Sequence, residues 1–176
     1  MRQCFYIAFT FLLINGCSGN ASDLPKSEGE YFNLKGYFTN EIQKLNRRPA
    51  PIQKTVYVNG SEETKTVKIS DWKKELSSFS DAEINRESWK GLFKTVRHPN
   101  GMTYTSTDKK VPVKEVNLTF SGDRLTGIRI IVKNSNMLYS STDSLLYYPD
   151  SLYQVKKSQE IKLLSKKDYA ITGSLK

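Results

Sequence analysis

The chain has 176 residues, 38% of them hydrophobic and 26% charged, which suits a globular domain with a buried core and excludes a disordered or fibrous class. Its formal charge of +9 raises nucleic acid as a partner on charge alone, while two cysteines are too few for a disulfide-stapled scaffold. In chain order, the first element is the stretch MRQCFYIAFTFLLINGC. Arg2 gives it a basic start, and Cys4 to Ile14 is an eleven-residue run without charge. A run this short does not cross roughly 30 Å of hydrocarbon as a permanent helix, but it fits the core of a signal peptide over residues 1–16.

Ile14-Asn15-Gly16-Cys17 resembles the lipobox of bacterial lipoproteins, with an aliphatic residue three before the cysteine and a small one directly before it. The resemblance implies cleavage before Cys17, diacylation of its sulfur and attachment to a membrane. Asn15 departs from the small or aliphatic residue usual at its position. The alternative is an ordinary signal peptide, or a short N-terminal anchor, with Cys17 incidental. Export argues against nucleic acid. Only Arg2 is charged within residues 1–16, so 26 basic and 18 acidic side chains leave the mature chain at +8. The natural counter-charges in a cell envelope are anionic lipids and acidic polysaccharides. A solvated basic surface without a partner is the plainer reading.

Residues 17–29 read as a lipidated flexible tether. The twelve residues SGNASDLPKSEG span about 20 Å root-mean-square in that regime. The absence of an acid before Asp23 points to the outer membrane, facing the periplasm. From residue 30 to 176 the pattern predicts one α+β domain. Glu30 to Arg48 is the clearest helix: Tyr31, Leu34, Phe38, Ile42 and Leu45 form one apolar stripe, Ser27 with Glu30 matches a capping box, and Pro49 and Pro51 end it.

At Ile52 the period changes to two. Ile52–Val58 and Glu63–Ile69 flank the hairpin signal Asn59-Gly60. Ser70-Asp71 cap a short helix bearing Trp72, Leu76 and Phe79, and Ser80 with Glu83 suggests a further turn carrying Ile84. After the His98-Pro99-Asn100-Gly101 turn, strands are expected at Met102–Thr107, Val113–Phe120, Leu125–Lys133, Met137–Ser140, Leu145–Tyr148, Tyr153–Lys157, Glu160–Leu164 and Tyr169–Ser174. Short connections make them antiparallel neighbours, so the expected fold is an N-terminal helix and short helices packed on a curved antiparallel meander.

The mature region is similar to small uncharacterised lipoproteins of Bacteroidota-type bacteria through YFNLKGYF, DWKKEL and YYPDS. That resemblance implies an address and a fold, and carries no activity over. The residues themselves offer little chemistry. His98 is the one histidine and precedes a proline in a turn. GxSxG, calcium-loop and phosphate-loop patterns are all missing, so no catalytic residue, metal ligand or cofactor is assigned. Tyr147, Tyr148 and Tyr153 form a candidate ligand surface, against the plainer reading of tyrosines packed in a sheet. Lys156, Lys157, Lys166 and Lys167 form a candidate contact for anionic surfaces, against the plainer role of blocking edge aggregation. Asp143-Ser144-Leu145 and Asp150-Ser151-Leu152 match a short O-glycosylation pattern of Bacteroidota. The resulting expectation is a lipid-anchored envelope module that binds anionic lipid, polysaccharide or an envelope protein without catalysis. The alternatives are a hydrophobic-ligand binder resembling the lipoprotein-carrier architecture, and an envelope-polymer hydrolase.

Overall fold

The computed structural model describes residues 31–162 and 164–176. Residues 1–16, Cys17, the tether at 17–29 and the Ser27/Glu30 capping box therefore lie outside the described residues. The described chain is α+β and mostly β: a nine-stranded, open antiparallel sheet with a few short helices.

Helix α1 spans Leu34–Arg47. Asn33 caps it, its side-chain oxygen accepting from the Gly36 N–H at 2.7 Å, which satisfies one of the amides that a helix start leaves unpaired. Tyr31, Leu34, Tyr37 and Phe38 are buried, and Ile42 and Leu45 are partly buried against the same core, so the apolar stripe faces inward along its length. Strands β1 (Ile52–Val58) and β2 (Ser61–Val67) form the expected hairpin. Asn59 and Gly60 both have positive φ, 47° and 97°, the backbone that a tight two-residue turn between twisted strands requires.

Asp71 caps α2 (Trp72–Glu75), and α3 (Ser77–Asp81) follows at once. Trp72, Leu76 and Phe79 are buried together, as their spacing predicts. The expected turn opening at Ser80 is corrected: Ser80 lies inside α3. Glu83 instead accepts hydrogen bonds from the backbone N–H groups of Lys35 and Asn85, both at 2.7 Å. Asn85 in turn pairs with the backbone of Tyr31, accepting at 3.0 Å and donating at 3.1 Å, and so ties the segment after α3 to the entry of α1. A single 3-10 turn, Glu87–Trp89, leads to the sheet.

The remaining strands are β3 (Lys94–His98), β4 (Gly101–Thr105), β5 (Val113–Ser121), β6 (Arg124–Ser135), β7 (Tyr139–Tyr148), β8 (Leu152–Ile161) and β9 (Lys167–Ser174). From β3 to β9 each strand lies beside its predecessor, and the β1–β2 hairpin adds to the far side of β9. Asn59 secures that junction: its N–H donates to the Asp168 carbonyl at 3.0 Å and its side chain accepts from the Asp168 N–H at 2.9 Å. Two pairs of expected strands prove to be single strands. Met137–Ser140 with Leu145–Tyr148 is β7, and Tyr153–Lys157 with the following segment is β8. Ser141 to Ser144 are all polar, which hides the period of two, yet their ladder with Lys156 to Gln159 is unbroken.

Candidate functional site

Cross-strand register sorts the sheet into two faces, because paired residues point the same way. The inner face carries Ile128, Ile130, Leu145, Tyr147 and Tyr153, and the helices pack on it. Phe38 and Phe79 meet the Tyr147 ring at centroid distances of 5.1 and 5.9 Å, and Trp72 meets Tyr153 at 6.2 Å. The tyrosine hydroxyls reach out of this apolar layer to carboxylates on the helices. Tyr147 donates to Glu41 at 2.6 Å, and Tyr153 donates to Glu75, which also takes Lys54 at 2.6 Å. Burial, reinforced by these carboxylates, pushes both phenols well above their ordinary range, so they stay neutral donors.

The three-tyrosine ligand surface is therefore corrected. Tyr147 and Tyr153 are fully buried beneath helices, while Tyr148 is 41% exposed on the opposite face. Adjacent residues of a strand point to opposite faces, so Tyr147 and Tyr148 cannot share a surface. The four lysines divide in the same way. Lys157 is on the inner face and pairs with Asp143 at 3.3 Å, whereas Lys156 is on the outer face. Lys166 pairs with Asp168 at 3.5 Å, and Lys167 opens β9 opposite Gln159. They do not form one patch.

Beyond the helices, the inner face carries Ser141 and Asp143 on β7. The Ser141 hydroxyl and one Asp143 oxygen are buried without a hydrogen-bond partner. Burial raises the Asp143 carboxyl above the usual carboxylate range, with the Lys157 ammonium pulling it back. His98 is exposed, its Nε2 3.1 Å from the Thr103 hydroxyl. Among the described residues, no group of three or more His, Cys, Asp or Glu side chains stands placed for a metal ion, and no helix is long and apolar enough to cross a membrane.

Among the described residues no helix lies on the outer face, which contains a groove of about 640 Å³ running from β7 across β8 and β9 to the hairpin. That volume lies within the range of small-molecule and oligomer sites. Its floor passes the small side chain of Ala170, directly opposite Lys156. Thr55, Ser144, Gln154 and Thr172 supply hydroxyls and an amide, with Gln154 donating to Thr172 at 2.9 Å. Tyr57 supplies a ring, and Glu62 and Asp168 line the same groove from β2 and β9. Lys156 is exposed and enters no ion pair among the described residues. The sequence points to Lys156 and Lys157 but carries no signal for the groove. Its residues come from β1, β2, β7, β8 and β9, and only the docking of the hairpin on β9 brings them together. No known protein family, curated protein or solved structure matches the chain.

Proposed function

We infer that the protein is a lipid-anchored, non-enzymatic binding module of the cell envelope, and that it holds an acidic polysaccharide in the outer-face groove. The single observation behind this reading is the groove itself. Hydroxyls and an amide match the hydrogen-bonding surface of sugars, the Tyr57 ring offers a flat apolar face, and the unpaired Lys156 ammonium suits a carboxylate. On the other side of the sheet, helices and aromatic rings cover part of the inner face, and the cleft beside α2 is open, which favours a surface groove over an enclosed lipid-carrying cavity. The signal over residues 1–16, the lipobox ending in Cys17 and the tether to residue 29 support an anchor in the outer membrane, facing the periplasm.

Affinity electrophoresis of the detergent-solubilised protein through gels containing polygalacturonate tests the groove. The wild type is expected to be retarded, with the retardation weakening in salt because exposed charges are screened over about 8 Å at physiological ionic strength. Lys156→Gln and Tyr57→Ala should each lose most of it, and Lys166→Gln, outside the groove, should not. Equal retardation of all four proteins would overturn the assignment. Labelling cells with a clickable fatty acid tests the anchor: label on the wild type and none on Cys17→Ser is the expected result, and equal label on both contradicts it.

A further inference from the structure

The two edges of the sheet differ in charge pattern. Edge β3 carries Lys94, Arg97 and His98 on an exposed strand, so a second copy of that edge meets like charge. Edge β2, SEETKTV, is exposed at every position but Val67 and carries both signs. Glu63 and Lys65 pair with each other at 2.7 Å, and each side chain is 67% exposed.

The backbone groups of β2 that face away from β1 follow from the hairpin. In a two-residue hairpin Val58 and Ser61 form the closing hydrogen-bonded pair, and hydrogen-bonded and non-hydrogen-bonded pairs then alternate. Thr64 consequently sits in a non-hydrogen-bonded pair with Thr55, where side chains come closest, and their hydroxyls are indeed 2.8 Å apart. Glu62, Thr64 and Thr66 therefore turn their N–H and C=O groups outward from the sheet.

We propose that β2 is a homodimerisation edge, pairing antiparallel with β2 of a second copy about a two-fold axis through Thr64. In that register Thr64 faces Thr64 of the other copy and Glu62 faces Thr66, so the outward backbone groups of both strands meet. Glu63 then faces Lys65 in a non-hydrogen-bonded pair, where opposed side chains lie closest. The axis is ringed by four charges of alternating sign. Charged side chains usually keep sheet edges apart, but here their order along the strand is self-complementary. Paired residues share a face, so the two outer-face grooves open on the same side. A polymer long enough to reach both would be held at two points.

The experiment is sedimentation of the full chain in a density-matched neutral detergent, with charge exchanges on β2. The wild type is expected to sediment as a dimer. Glu63→Lys alone and Lys65→Glu alone make all four axial charges alike, and each should weaken dimerisation roughly ten- to a hundredfold. Mixing those two variants, or combining both exchanges in one chain, should restore the dimer. All these side chains are exposed, so circular dichroism should match the wild type throughout. A register check uses disulfides in cells: Thr64→Cys should give a cross-linked dimer absent from the wild type, and Glu62→Cys should not. A monomeric wild type, single exchanges that leave the dimer intact, or equal cross-linking at both positions would each overturn the proposal.

Discussion

Tyr153 is held at both ends of its side chain. Its hydroxyl is bound by Glu75, and its ring lies over Gly173, its cross-strand partner on β9. A Cβ added at Gly173 would stand 2.1 Å from the ring, well inside contact distance. The ring is fully buried and tethered through its hydroxyl to Glu75, so Gly173→Ala should cost about 1–3 kcal/mol as an overpacked core. Denaturant midpoints check this, and an unchanged midpoint would contradict the ring placement. Asp143 makes a prediction in pH. Its folded carboxyl titrates above the unfolded value of about 3.9, chiefly through burial. The folded state thus keeps a proton that the unfolded chain has already released, and stability falls as pH rises from about 4 through the raised value, then levels off. Asp143→Asn removes this titration. The stability of wild type relative to the variant should therefore decline over that window, and a difference that is flat with pH would contradict the buried carboxyl.

At the scale of elements, what could be read from the sequence is what local chemistry decides. Helix α1 follows from one apolar stripe, and the β1–β2 turn follows from Asn59-Gly60, because only residues tolerant of positive φ fit there. Asp71 announces α2 through its side-chain cap on the Lys74 N–H. The full lengths of β7 and β8 were not legible. Ser141, Asp143, Lys157 and Gln159 occupy inward positions where alternation would place apolar residues, and only the pairing of the two strands identifies them. Strand β3 has no signature in the sequence, because all five of its residues are exposed and KTVRH carries no alternation. The assignment of the helix face is open to a direct test. Phe38→Ala should cost about 3–5 kcal/mol, since it removes a ring packed between Phe79 and Tyr147. Lys35→Ala, on the exposed side of α1, should cost less than about 0.5 kcal/mol. Comparable midpoint losses for both would contradict the packing described.

For the whole molecule, the decisive feature is that one sheet has two unlike faces. Helices and rings cover the middle of the inner face, and the outer face keeps a polar groove that exists only because β1, from the start of the sheet in sequence, docks on β9 at its end. No pattern in the sequence announces that docking. Its anchor, the pair of hydrogen bonds between Asn59 and Asp168, joins residues 109 positions apart. Of the groove's lining, the sequence therefore points only to Lys156 and Lys157, as contacts for anionic surfaces, and to Ser144. In the proposed function the outer face, and not the helical layer, receives the ligand. Nitrogen-15 NMR of the labelled protein during titration with oligogalacturonate tests it most directly. The amide shifts should concentrate at Tyr57, Ser144, Lys156 and Thr172, with the Trp72 and Trp89 indoles unmoved. Shifts gathered on α1 and α3, or none at saturating oligosaccharide, would contradict it.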